Sequence, residues 1–454
     1  MKGSIFKACL NLLQIHATKY LFCKGRLKSG EISAGEFGKN LLVSKQQFGF
    51  KNKRRESGPL LTQKCSQKKL VAIVAIVTIA VASVAGGAYY FTNNSSSTPS
   101  GSKKPFYVGV TFCGDTTAEA RLLIDRVKDY TNLLVLQSGP VSKNETATNE
   151  ICDYAVEAGL SIVVYFGDLN PRVLTNETSW RVEWVNSARQ RWGERLLGVY
   201  YYDEPGGIWL DTDWSRFPNA FAPNSTYDSV AERFIKGFKR DPGYVLLKNN
   251  SIPVFVSDYA LYWFDYLSGY DLVLAQLGWN NTVAQEIGLV RGAANLQDKN
   301  WGTIITWKYT EPPHLADGDE IYDQMRMSYE CGAKYTVIFN YAEKMNNPYG
   351  TLREEHFRVL ERFWNEIVQN PSVVNGGVKA EAALVLPRNY GWGMRNPNDI
   401  IWGLWNTNST SEQIWTQLQN RLSEFGSRLD IVYDDPAYPI AGKYGRIFYW
   451  HQTS

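Results

Sequence analysis

The chain has 454 residues, 44% hydrophobic and 20% charged, with a formal net charge of +3. That is ample apolar material for a sizeable core and excludes a chain disordered throughout. The charge is split: residues 1–69 hold 15 Lys+Arg against 3 acids, net +12, and the rest 33 against 42, net −9, so the two parts are expected in different settings.

The basic segment 1–69 leads into LVAIVAIVTIAVASVAGGAYYF, residues 70–91, which is 22 residues without a charge. At about 1.5 Å per residue a helix of this length matches the roughly 30 Å hydrocarbon core of a bilayer. Lys51, Lys53, Arg54, Arg55, Lys64, Lys68 and Lys69 precede it, and Tyr89 and Tyr90 close it. The positive-inside rule therefore puts residues 1–69 in the cytoplasm and the bulk of the chain outside, as in a single-pass type II membrane protein. A cleaved signal peptide would be shorter and nearer the N-terminus. The basic residues are read as topology determinants, so no nucleic-acid partner is expected. Sequons at Asn93, Asn94, Asn144, Asn176, Asn224, Asn249, Asn280 and Asn408 agree with export. Residues 92–105 are a Ser/Pro/Gly-rich linker.

From residue 106, short apolar runs alternate with helix-like segments: 107–112, 132–137, 161–166, 196–202, 252–257, 271–277, 302–307 and 335–340. Strands without polar alternation are buried on both faces, which means parallel pairing. Eight such units fit a (β/α)₈ barrel, an α/β fold, over residues 106–370 better than an open doubly wound sheet, and no glycine-rich phosphate loop is present. Residues 371–454 follow as a small α/β module with a strand at 382–387, a helix at 411–425 and strands at 429–435 and 445–450.

In such barrels the chemistry sits at the C-terminal ends of the strands. Glu204 follows the fourth strand in GVYYYDEP and Glu311 follows the seventh in TWKYTEPP. Two carboxyls facing each other across the mouth suit hydrolysis of a glycosidic bond: one protonates the leaving oxygen while the other attacks the anomeric carbon or activates water. This pattern resembles the clan of retaining (β/α)₈ glycoside hydrolases that includes cellulases, β-mannanases and β-galactosidases. The resemblance implies Glu204 as acid/base and Glu311 as nucleophile, with Asp203 where the clan has an Asn that holds the sugar 2-hydroxyl. Aromatics make up 14% of the chain, and Tyr165, Tyr202, Tyr259, Trp279, Trp307 and Tyr341 near strand ends, with Asp258, are expected to bind sugar. A non-catalytic sugar-binding barrel is the alternative.

Four histidines, two of them in the barrel, argue against a metal centre, and no cofactor is expected. GxSxG is absent, which removes a serine-esterase elbow. Six cysteines without a CxxC pair imply no disulfide framework.

Overall fold

The computed structural model describes residues 105–278, 282–308, 313–341, 345 and 347–452. The basic segment, the candidate span and the linker up to residue 104 lie outside these. Among the described residues no helix is long and apolar enough to cross a membrane.

Eight parallel strands close on themselves: β1 Tyr107–Phe112, β2 Leu133–Leu136, β3 Ser161–Phe166, β4 Leu196–Tyr201, β5 Val254–Asp258, β6 Leu272–Leu277, β7 Asn300–Ile305 and β8 Tyr335–Ile338, with β8 pairing back onto β1. The connecting helices are α1 Thr117–Val127, α2 Glu145–Glu157, α3 Trp180–Trp192, α4 Pro205–Asp211, α5 Tyr227–Lys239, α6 Pro242–Asn249, α7 Tyr262–Ser268, α8 Val283–Leu296, α9 Gly318–Glu330 and α10 Glu354–Phe363. The continuous apolar runs form strands because barrel strands are covered on both sides, by helices outside and by one another's side chains inside. Strand seven starts and ends two residues earlier than its sequence run, which leaves Thr306 and Trp307 beyond it.

The lower interior is filled by rings. Tyr107 stacks on Tyr335 at 4.9 Å, and Phe255 meets Tyr335 edge-on at 5.3 Å. Glycines on neighbouring strands make room for them. A Cβ on Gly302 would lie 2.7 Å from Tyr335 Cβ, and one on Gly198 would collide with the Phe255 ring. Large rings and absent side chains thus alternate around the axis and fill it as a packed core rather than a pore.

The terminal module is a three-stranded parallel sheet in the order β10-β9-β11, with β9 Ala382–Leu386, β10 Leu429–Tyr433 and β11 Arg446–Tyr449, and one helix, α11 Ser409–Phe425. It docks on α8 through a buried ion pair, Arg291 Nε to Asp430 Oδ1 at 2.7 Å, with side chains 3% and 0% exposed. Trp263 and Phe264 of α7 pack on Tyr433. Two sequon asparagines serve as helix caps: Asn144 Oδ1 accepts from Ala147 N, and Asn408 Oδ1 from Thr410 N and Ser411 N. Cys113, Cys152 and Cys331 are unpaired.

Candidate active site

Parallel pairing keeps register neighbours on the same face, so the inward residues at the top of the barrel can be followed from strand to strand. Tyr165 pairs with Tyr200, and their rings meet edge-on at 5.3 Å. Tyr200 Oη lies 2.6 Å from Ser257 Oγ of β5, and Gln276 Nε2 of β6 lies 3.3 Å from the same oxygen. Above this polar layer stands Glu204, whose Oε1 accepts from Gln276 Nε2 at 2.6 Å. Asp203 beside it accepts from the Tyr200 hydroxyl.

Glu204 sits on a strained elbow. β4 and β5 are in register at Val199–Val254 and Tyr200–Phe255. Beyond that the chain leaves the strand with Tyr202 at φ 63° and Glu204 at φ 49°, ψ 49°. For residues bearing a Cβ the left-handed region costs roughly 1–2 kcal/mol each, and it persists only where the surroundings impose it. Here they do so through hydrogen bonds. Glu204 N donates to Ser257 O at 3.1 Å, Pro205 opens α4, and Asp258 accepts from Gly206 N at 2.5 Å and Gly207 N at 2.9 Å. Gly206 and Gly207 allow this approach, since a Cβ on Gly206 would lie 2.6 Å from Ala260 O and one on Gly207 would enter the Tyr259 ring. DEPGG is therefore one device that presents Glu204 over the axis.

The environment sets its protonation. Glu204 and Asp203 keep part of their surface open to the mouth, yet packed protein surrounds their carboxyls. Desolvation, then the negative charge of Asp203, holds Glu204 well above the usual carboxylate range, against the opposing Gln276 hydrogen bond. Asp203 is raised by desolvation to about 6, with the Tyr200 hydrogen bond restraining the shift. Burial and the neighbouring Asp203 charge thus favour the protonated form of Glu204, the form a general acid needs. Desolvation likewise lifts the Cys113 thiol, beside Asp203, to about 12, which makes it an inert neighbour.

The expected sugar-binding residues divide. Tyr165 lines the mouth. Trp307 and Tyr341 form a tilted pair at 4.6 Å, both partly exposed, and Trp307 Nε1 has no partner among the described residues. Three others have different tasks. Tyr202 turns outward to donate to Asp241 Oδ2 at 2.9 Å and packs on Phe238 of α5. Asp258 is fully buried and used up on four backbone amides, those of Gly206, Gly207, Tyr259 and Ala260. Tyr259 lies between Gly207 and the Arg395 guanidinium, 5.5 Å from its ring centroid, with its hydroxyl on Asp211. Both contacts take up ring surface that stacking would need. Glu311 and Trp279 lie outside the described residues.

The sequence reading passed over Tyr200, Ser257, Gln276, Asp265 and Arg395. Arg395 comes from the terminal module, where it pairs with Asp399 and reaches Asp211 at 2.8 Å, fixing the 388–405 loop beside the elbow. An open hollow of about 420 Å³ lies between α8 and α9, lined by Gly278, Val283, Glu320, Gln324 and Met327 among others. It contains none of the residues around Glu204, whose strained elbow and raised carboxyl make the axial mouth the candidate site. Among the described residues no cluster of His, Cys, Asp and Glu has the arrangement of a metal centre.

No family model matches the chain, and no curated protein matches it. Solved structures do. A GH5_18 protein from Streptomyces cattleya in complex with GlcNAc is 13% identical over 77% of this chain and 99% of that one, with TM-score 0.45. A GH5 cellulase from an Icelandic hot spring isolate is 12% identical over 59% and 90%, TM-score 0.39. A D-psicose 3-epimerase is 9% identical over 58% and 100%, TM-score 0.34. The resemblance to glycoside hydrolase barrels is remote, and a barrel of this kind hosts several chemistries, so the reaction has to be argued from side chains.

Proposed function

We propose that this chain is a membrane-anchored, extracytoplasmic glycoside hydrolase acting on polysaccharide or glycan, with Glu204 as the acid that protonates the leaving oxygen. The observation that carries this reading is the placement of Glu204 at the C-terminal end of β4, on a left-handed elbow, desolvated beside Asp203 so that its carboxyl is held well above the usual carboxylate range. As the glycosidic C–O bond breaks, the Glu204 proton passes to the departing oxygen. A second carboxylate, assigned to Glu311 from its position after strand seven, attacks the anomeric carbon or takes a proton from attacking water. Where the second carboxylate attacks, Glu204, left as a carboxylate, recovers its proton from the water that then hydrolyses the glycosyl–enzyme bond.

Tyr165, Trp307 and Tyr341 offer partly exposed rings around the mouth that suit the apolar faces of pyranoses. The anchor is assigned to residues 70–91, supported by the uncharged run and by the basic residues before it. The catalytic unit is assigned to residues 106–370 and the small module to 371–454.

Turnover of a panel of aryl glycosides and polysaccharides by the full chain tests the reading. Glu204→Gln is expected to cut hydrolysis of substrates with poor leaving groups about 10²–10⁴-fold while binding persists. Sugar binding without any turnover in the wild type overturns it and leaves a binding barrel.

A further inference from the structure

The elbow rests on a second acid. Asp265, in the middle of α7, is 0% exposed, as is Asp258. Neither Asp265 oxygen meets a hydrogen-bond donor, and the group within hydrogen-bonding reach is the Asp258 carboxyl. Two carboxylates cannot face each other in a desolvated site, since each offers only lone pairs and negative charge. One proton between them converts repulsion into a hydrogen bond. Its location follows from the partners: Asp258 accepts from four backbone amides, at 2.5 Å from Gly206, 2.9 Å from Gly207, 2.8 Å from Tyr259 and 3.3 Å from Ala260, which favours its charged form. Asp265 has no donor of this kind and carries the proton.

We infer that Asp265 and Asp258 are positioning residues: a single proton held between their carboxyls locks the β4–α4 elbow that presents Glu204, so the site assembles only while that proton is in place. This deepens the reading of Glu204 as the acid and rests on it for its catalytic meaning.

The surroundings offer no substitute for the proton. Facing the pair are Glu204 and Asp211 from the elbow and α4, Tyr259 from the β5 loop, Tyr262 and Tyr266 from α7, Tyr270 before β6, and Glu286 of α8, whose oxygen accepts from Tyr262 at 2.6 Å. Arg395, the cation that acts on Glu286, is engaged by Asp211 and Asp399. Every other charge facing the pair is negative or absent. Burial, then the Asp258 charge, holds the Asp265 proton well above the usual carboxylate range. Above the pH where it leaves, two like charges are buried together, the Asp258 cap on Gly206 and Gly207 is forced apart, and the elbow loses its support.

The experiment is a set of melting curves of the full chain from about pH 5 to about pH 9, which needs no turnover. The wild type is expected to lose roughly 2 °C per pH unit over the range in which the folded chain still holds the proton that the unfolded chain has released, and to level off once the pair gives it up. Asp265→Asn, which stays neutral and donates an amide N–H to Asp258, is expected to flatten that decline. Glu204→Gln, which removes another raised acid, is expected to ease the decline by its own share and leave the part that Asp265→Asn removes. A slope unchanged in Asp265→Asn, or one that vanishes in Glu204→Gln alone, overturns the inference. If Asp265→Asn does not fold, hydrogen exchange in the wild type decides: protection of the Gly206 and Gly207 amides is expected to fall over the same pH interval, and protection that holds through it overturns the inference. A chain that melts as expected yet hydrolyses nothing would refute the hydrolase reading and leave the shared proton standing.

Discussion

The two ends of the barrel are built from the same eight strands on opposite terms. At the lower end the axis is filled by Tyr107, Tyr335 and Phe255, fitted into the space left by Gly198 and Gly302. At the upper end the strands carry Tyr200, Ser257 and Gln276, then Asp203 and Glu204 on a backbone with two left-handed residues. Apolar packing stabilises by roughly 25 cal/mol per Å² removed from water. Desolvated acids and strained dihedrals work against folding. Stability therefore resides at the bottom of these strands and the reactive arrangement at the top, so substitutions at the two ends should separate fold from function.

The largest expected effect sharpens that contrast at the top. Glu204→Gln keeps the shape and one acceptor for Gln276 but cannot supply a proton, so turnover of a substrate with a poor leaving group should fall about 10²–10⁴-fold. The melting temperature should hold or rise, because a desolvated acid is replaced by a neutral amide. At the bottom, Tyr335→Ala removes the ring that meets both Tyr107 and Phe255, at a cost of about 3–5 kcal/mol, read from denaturant unfolding. The folded fraction should turn over normally. Loss of turnover without loss of stability in Tyr335→Ala would break the division between the two ends.

An intermediate effect comes from pH. Burial raises Asp203 to about 6 and Glu286 to about 7. A raised carboxyl pKa means that the native state binds protons the unfolded chain has already released. Stability is therefore greatest near pH 4 and declines as pH rises through 6 to 7. The acids with lowered values, such as Asp213 and Glu366, are exposed and act at lower pH. A melting temperature that climbs between about pH 5 and about pH 7 would contradict this assignment.

What could be read in the sequence follows the range of the interactions. The strands were legible because a strand covered on both faces must be apolar at every position, and Glu204 because an acid followed by Pro directly after such a run has few structural uses. Asp258 and Tyr259 were misread as sugar-binding because direction at a strand end is set by partners elsewhere. The Asp258 carboxyl is claimed by glycines 52 and 51 residues earlier in the chain, and the Tyr259 ring by Arg395 of the terminal module. Tyr202 was misread because φ 63° turns its side chain outward. Asp265 left a signal that went unused: a lone acid inside the aromatic helix YWFDYLS, where an unpaired charge would not be tolerated without a partner or a proton.

The smallest expected effect tests how the top of the barrel is tuned. Asp203→Asn removes the negative charge beside Glu204 while retaining an oxygen for the Tyr200 hydroxyl. Burial, the leading cause of the upward shift in Glu204, is unchanged; the second cause, the Asp203 charge, is gone. Glu204 should therefore lose its proton at a lower pH than in the wild type, so the alkaline limb of a kcat/KM profile moves toward acid while the rate on the plateau changes little. A limb that stays in place would mean that desolvation alone sets the acid and that Asp203 serves the substrate instead. In that case the loss would appear as a raised KM with the pH profile intact.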